Sequence, residues 1–343
     1  MKNILFISRD FLHKGNLKQA ELYQQEHINI INNSWMNTGN GFFYNSLKTI
    51  GKLSISFGII NTVNLLKKSR FDLLVFELKF FIYSKPSEEF IKFIKELNYP
   101  IILLLGYDGN FSKVINLNKL DEIINFKIIC IPNLLKNIET YNLSKKIVSK
   151  ILVTHYGLGN QDLVYDLKKK KINNDISENI ITNKKYDIFF AGSTAPDKHL
   201  RNDFIKKIKN DKRLDNYRYS IDIFETSFKV NNIKKENFIK LMKQSNISLD
   251  LSGSQDNITM RFNEIILNNE LPITDRGFKN YWVSNYYKNI IDDFCFNDID
   301  QFFYLVDKYK NLDNRKNAIR KIKAIWNDYY DPFEHGKDIL KRL

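Results

Sequence analysis

Cysteine is almost missing from this chain. Two occur among 343 residues, Cys130 and Cys295. They are far apart and lack C-x-x-C spacing, so they read as reduced core residues rather than a disulfide framework or a zinc ligand set. Long apolar runs are missing too: no uninterrupted stretch approaches the roughly 18 residues that a membrane helix needs. The first apolar run, within Met1–Ser8, is too short for a signal-peptide core, and no small-residue cleavage site follows it. The expectation is a cytoplasmic protein. The five histidines are scattered, and none clusters with Cys or Glu as metal ligands do. No GxxxxGK[ST] phosphate loop and no GxSxG nucleophile elbow occurs.

What is present is the composition of a folded protein: 43% hydrophobic and 27% charged residues, with 14% aromatics, a level that disordered chains do not reach. At roughly 150 residues per domain the length predicts two domains, each large enough for its own core. The net charge of +14 favours an anionic partner such as nucleic acid, anionic lipid or a phosphorylated substrate. Lys, Ile and Asn are abundant together, the drift of an AT-rich coding sequence, so most lysines read as solvated. The densest run, Lys168–Lys171, reads as an exposed linker.

Short apolar runs alternate with helical spacing along the chain. Strands are predicted at Lys2–Ser8, Phe71–Glu77, Ile101–Leu105, Lys127–Ile131 and Lys150–Val153. Helices are predicted at Phe42–Ile50, closed by Gly51 as a C-cap, and from Pro86 to Leu97. Asp162–Lys185 is polar and weakly periodic. The alternation then restarts, with strands at Tyr186–Phe190, Tyr219–Phe224, Ile247–Leu251 and Leu271–Thr274. Helices are predicted at Leu200–Ile208, Lys235–Gln244, Thr259–Leu267, Ile299–Tyr309 and Asp313–Tyr329. The expected fold class is α/β, two Rossmann-like doubly wound domains facing a cleft. The expected boundaries are 1–165, a linker at 166–185, 186–315, and a helical segment at 316–343 that packs back on the first domain. Ligands of such sheets bind outside the carboxyl ends of the strands. That directs attention to the loops at Gly39–Gly41, Gly106–Gly109, Gly192–Pro196 and Gly253–Asn257.

The stretch from Leu249 to Glu264 carries the strongest signal. A buried strand ends in Ser252-Gly253-Ser254, and a helix starts at Thr259; its free amides and dipole form an anion site. Arg261 in the first turn can neutralise a diphosphate. Glu264, three residues on, shares its face and can accept from ribose hydroxyls. The same spacing describes an ordinary surface Arg–Glu pair. Gly192-Ser193-Thr194 lets a backbone approach a phosphate closely or is a plain βα turn, with Lys198 and Arg201 adding charge. Asp108, at a strand tip, is either a base for an acceptor hydroxyl or part of an Asp-Gly turn; Asp10 is a weaker base candidate. His155 either contacts a phosphate or the acceptor or is a hydrogen-bonded hinge residue. Gly39 and Gly41, just before the first helix, form a weak G-x-G signal. Asp298-Ile299-Asp300 spells D-x-D, but it precedes a helix and reads as its N-cap.

Several of these pieces together resemble GT-B glycosyltransferases of the group 1 kind, in particular the CgeB-like group. Its R-x-x-E…G-x-x-L/P-x-T pattern reads here as Arg261, Glu264, Asn269, Pro272 and Thr274, with Asn269 where the family usually has Gly. Tyr186–Ser193 is similar to the family's D-V-x-F-V-G-S opening of the second domain. Thr154–Leu158 is similar to its L-P-x-G-V segment, and Phe296–Leu305 with Arg315–Asp328 to its closing helices. The resemblance implies metal-independent transfer of a sugar from a nucleotide-sugar co-substrate, with no resident cofactor. It implies a saccharide or lipid-linked acceptor in bacterial surface polysaccharide or glycoconjugate synthesis. The basic charge fits peripheral contact with an anionic inner leaflet. Two other classes stay open. One is a basic nucleic-acid-binding protein, though no RNA or DNA module is recognisable. The other is a non-catalytic nucleotide-sugar-binding regulator.

Overall fold

A computed structural model describes residues 1–9, 21, 22, 24, 25, 28, 41–105, 115–132, 134–155, 184–193, 199–224, 235–253 and 260–343. The chain forms two compact units, Met1–Asp166 with Asp331–Leu343 (unit 1) and Leu167–Tyr330 (unit 2). The expected linker at 166–185 lies almost wholly outside the described residues.

Unit 1 holds a 6-stranded sheet in the order β2-β1-β3-β4-β5-β6. The strands are β1 (Lys2–Ser8), β2 (Gly51–Phe57), β3 (Leu73–Glu77), β4 (Ile101–Leu104), β5 (Ile128–Pro132) and β6 (Ile151–Thr154), and these neighbours pair in parallel. β1 and β3 read as unbroken apolar runs because both faces of a parallel sheet are covered. Leu5, Ile7, Leu74 and Phe76 face one layer, with Leu66 of α2 (Gly58–Lys68), Phe80 of α3 (Leu78–Tyr83), Phe90 of α4 (Glu88–Glu96), Leu120 of α5 (Leu117–Ile124) and Ile147 of α6 (Lys145–Lys150). Ile4, Phe6, Leu73 and Val75 face the other, under Phe43, Tyr44 and Leu47 of α1 (Gly41–Ile50).

One expectation fails here. Gly51 does not cap α1; it is the first residue of β2 and pairs with Lys2 of β1. A Cβ on it would lie 2.3 Å from the Lys2 carbonyl oxygen, so this register requires glycine. Taking that glycine as a stop hid β2, whose Lys-Leu-Ser-Ile-Ser-Phe alternation is strand-like.

Unit 2 holds a 5-stranded sheet in the order β11-β10-β9-β7-β8, built from β7 (Tyr186–Ser193), β8 (Tyr219–Phe224), β9 (Ser245–Asp250), β10 (Pro272–Asp275) and β11 (Cys295–Phe296). The connecting helices include α7 (His199–Asn210), α8 (Lys235–Lys243), α9 (Met260–Leu267), α10 (Ile299–Lys310) and α11 (Leu312–Tyr329). α11 buries Arg315, Ile319, Ile322 and Trp326 within this unit, the Trp326 indole donating to Asn263 Oδ1 at 2.8 Å. The chain returns to unit 1 at Asp331, which caps α12 (Pro332–Arg342). No helix among the described residues is long and apolar enough to cross a membrane.

Strand order fixes where each sheet can hold a ligand. From β1 the chain goes to β2 on one side and then to β3 on the other, so the order reverses between β1 and β3. In unit 2 it reverses between β7 and β9. Open α/β sheets bind ligands at such switch points, beyond the strands' carboxyl ends.

Candidate functional site

The switch point of unit 2 gathers most of the described candidates. β7 ends at Gly192-Ser193 and β9 ends at Asp250, followed by Leu251-Ser252-Gly253. α9 starts beyond that loop, so Arg261 stands in its first turn at the same sheet edge.

The backbone of the β9 loop is held from two sides. Arg201 of α7 donates to the Leu251 carbonyl through Nη2 at 2.8 Å and Nε at 3.3 Å. From β10, the Asp275 carboxylate accepts from the Ser252 amide at 2.7 Å, the Ser252 hydroxyl at 2.5 Å and the Gly277 amide at 2.9 Å. Such charge-assisted bonds fix a loop more firmly than neutral ones. Gly192 has a local reason as well: a Cβ there would sit 2.7 Å from the Phe190 ring and 3.4 Å from Arg201 Nη1. The glycine therefore makes room for the Phe190 ring, with Arg201 at ordinary contact distance beside it.

Arg261 and Glu264 do not form a tight surface pair. Arg261 Nε is 4.0 Å from Glu264 Oε2, and both side chains are largely covered, at 25% and 17% exposure. The Arg261 guanidinium lies over the Phe238 ring at 4.7 Å. Burial disfavours its charge and lowers its pKa, opposed by the Glu264 and Asp250 carboxylates. A desolvated guanidinium at a helix start is suited to a bound anion. After α9, Asn269 adopts φ 59°, the left-handed conformation that glycine takes freely and that Asn tolerates. Its side chain also accepts from Lys323.

Other candidates lie apart from this edge. Gly41 is the first residue of α1. His155 follows β6 and packs edge-on against Phe42 at 4.9 Å, with the His335 ring 6.5 Å away. Asp298 caps α10 by accepting from the Gln301 amide at 2.8 Å, as expected for that D-x-D, while Asp300 pairs with Arg213 at 2.8 Å. Asp10, Gly39, Asp108, Thr194, Lys198, Ser254 and Thr259, with Tyr156–Leu158 of the proposed family segment, lie outside the described residues. Sequence reasoning missed the Asp275 clamp and the Arg201–Leu251 bond. The one signal for the clamp was an acid at a strand end, Thr274-Asp275.

The fold has solved counterparts. The chain is similar to Alr3699/HepE from Anabaena in complex with UDP-glucose, with a TM-score of 0.51, 10% identity, and 99% of each chain covered. It is similar to the same protein in complex with UDP, with a TM-score of 0.50, 10% identity and again 99% of each chain covered. At that identity the likeness is one of fold: two doubly wound α/β units, the GT-B fold. No protein-family model matches the chain, and no curated protein matches it in sequence.

Proposed function

We propose that the chain is a glycosyltransferase that takes a sugar from a nucleotide-sugar donor. One observation carries this reading. At the unit 2 switch point, a loop clamped by Arg201 and Asp275 stands next to a desolvated Arg261 at a helix start. A diphosphate suits that arrangement, with Arg261 and the helix amides meeting the charge that grows on the departing group, in the role a metal ion fills elsewhere. Glu264 on the same helix face accepts from the ribose hydroxyls. Gly192, Ser193 and Gly253 bring backbone to the phosphates; Thr194, Ser254 and Thr259 belong to the same proposed contact set. The Anabaena protein of like fold was solved with UDP and with UDP-glucose, which supports a nucleotide sugar as co-substrate.

On this reading unit 1 takes the acceptor, a saccharide or a lipid-linked one, and His155, Gly39 and Gly41 belong to its side. The product serves a surface polysaccharide or glycoconjugate. The +14 charge suits work in the cytoplasm against an anionic membrane surface. The motifs Arg261-x-x-Glu264 and Asn269-x-x-Pro272-x-Thr274 support the CgeB-like group within this class. The test is release of the nucleotide leaving group (UDP, GDP or CMP) from a panel of UDP-, GDP- and CMP-sugars. Release by the wild type that falls at least tenfold in Arg261→Ala supports the reading. Release unaffected by the substitution sinks the assignment of Arg261. Binding of a donor without release or transfer favours the regulator instead.

A further inference from the structure

Resting on that reading, we infer that Glu77 is the group in unit 1 that binds the acceptor hydroxyl and takes its proton. The six strands of its sheet end at Ser8, Phe57, Glu77, Leu104, Pro132 and Thr154. Glu77 is the one carboxylate among these ends. It closes β3, and Ser8 closes β1 beside it, so the two flank the switch point of unit 1.

The pair is buried, Glu77 at 4% exposure and Ser8 at 0%. The Ser8 hydroxyl donates to Glu77 Oε2 at 2.6 Å. Among the described residues that is the whole provision for this carboxylate, which is unusual in this molecule. Asp121 accepts from Lys150 and the Phe126 amide, Asp187 from Arg218 and Asn246, and Glu270 from Lys184. A buried carboxylate is costly without donors, and a substrate hydroxyl supplies one. His155, the other titratable residue proposed for the acceptor side among the described residues, follows the edge strand β6, at the far side of the sheet from the switch point.

Side-chain alternation puts Glu77 and Ser8 on the face of Ile4, Phe6, Leu73 and Val75, the face that α1 covers. α1 runs directly into β2 at Gly51, so its N-terminus points to the edge where β1 and β3 end. In the step, the acceptor oxygen bonds to the anomeric carbon of the donor and its proton passes to Glu77. The bond from that carbon to the diphosphate oxygen breaks, and the nucleoside diphosphate leaves with the electron pair. The proton on Glu77 then passes to water.

Glu77→Gln is the discriminating variant, because its amide oxygen still accepts from Ser8 yet cannot take a proton. The full-length protein is assayed for release of UDP from UDP-glucose and UDP-N-acetylglucosamine, GDP from GDP-mannose and CMP from a CMP-sugar, with water and added glucose as hydroxyl sources. Titration with the free nucleotides and a melting curve run in parallel. The expected result is a loss of about 100-fold or more in kcat, with nucleotide affinity within about twofold of wild type, the level at which a binding free energy barely changes. Ser8→Ala, which keeps the base, is expected to lose less. A Gln variant with wild-type turnover overturns the assignment, and so does a wild type that binds nucleotide but turns over none of these donors. Failure to bind any nucleotide instead removes the transferase reading itself.

Discussion

Lys184 and Glu270 illustrate how single residues hold unit 2 together. Their side chains are 1% and 3% exposed and meet at 2.8 Å, and Lys184 also donates to the Lys243 carbonyl. Burial pushes Glu270 up to about 7 and Lys184 down, both toward the neutral forms. Lys184→Met leaves a buried carboxylate without its cation and is expected to cost about 3–5 kcal/mol, whereas adding Glu270→Leu recovers most of that loss. Urea unfolding of the single and double variants checks this. His335 gives a pH dependence of defined sign. Burial lowers its pKa to about 4 from the ordinary 6.5. Between those values the unfolded chain takes up a proton that the folded one refuses. The stability it contributes is therefore complete above pH 6.5 and is lost as pH falls toward 4. About 2 kcal/mol is expected to disappear between pH 7 and pH 5. His335→Phe, among the rings of Phe42 and Phe43, is expected to flatten that slope in unfolding measured at both pH values.

At the scale of elements, α12 docks on α1 through a glycine. A Cβ on Gly336 would lie 2.3 Å from Thr49 Oγ1 and 3.0 Å from the Ser46 carbonyl oxygen. Gly336→Ala is expected to lift the helix and cost about 1–3 kcal/mol, and Thr49→Ala alongside it to restore part of that. Hydrogen exchange of the α12 amides measures both effects. Elements differ in how far the sequence reveals them. β1, β3, β4 and β9 are legible because strands covered on both faces are continuous apolar runs. The start of α4 is legible from Ser87, which accepts from the Phe90 amide, and from Glu88 and Glu89 behind it. β2 is not, because its opening glycine answers to Lys2, a strand away. The left-handed Asn269 is legible as a tolerated exchange for glycine. The clamp on the β9 loop is not: Arg201 is 50 residues from Leu251 and Asp275 is 23 from Ser252, and only the strand order brings them together. Glu77 gains its meaning the same way, from the crossing of β1 to β2 and then to β3.

For the whole molecule, a formal charge of +14 raises the local concentration of anionic substrates but distinguishes no one of them. On the proposed reading, specificity comes from the two switch points, one in each unit, and the one in unit 2 holds the donor. Titration calorimetry of the full chain with UDP, GDP, CMP and their sugars tests it most directly, with Arg261→Ala as the matched variant. One nucleotide family is expected to bind, and at about 100 times its Kd to stabilise the native state by about 2.7 kcal/mol, with at least tenfold weaker binding in the variant. Absence of binding for every nucleotide, or equal binding by Arg261→Ala, would contradict the assignment of unit 2 as the donor site.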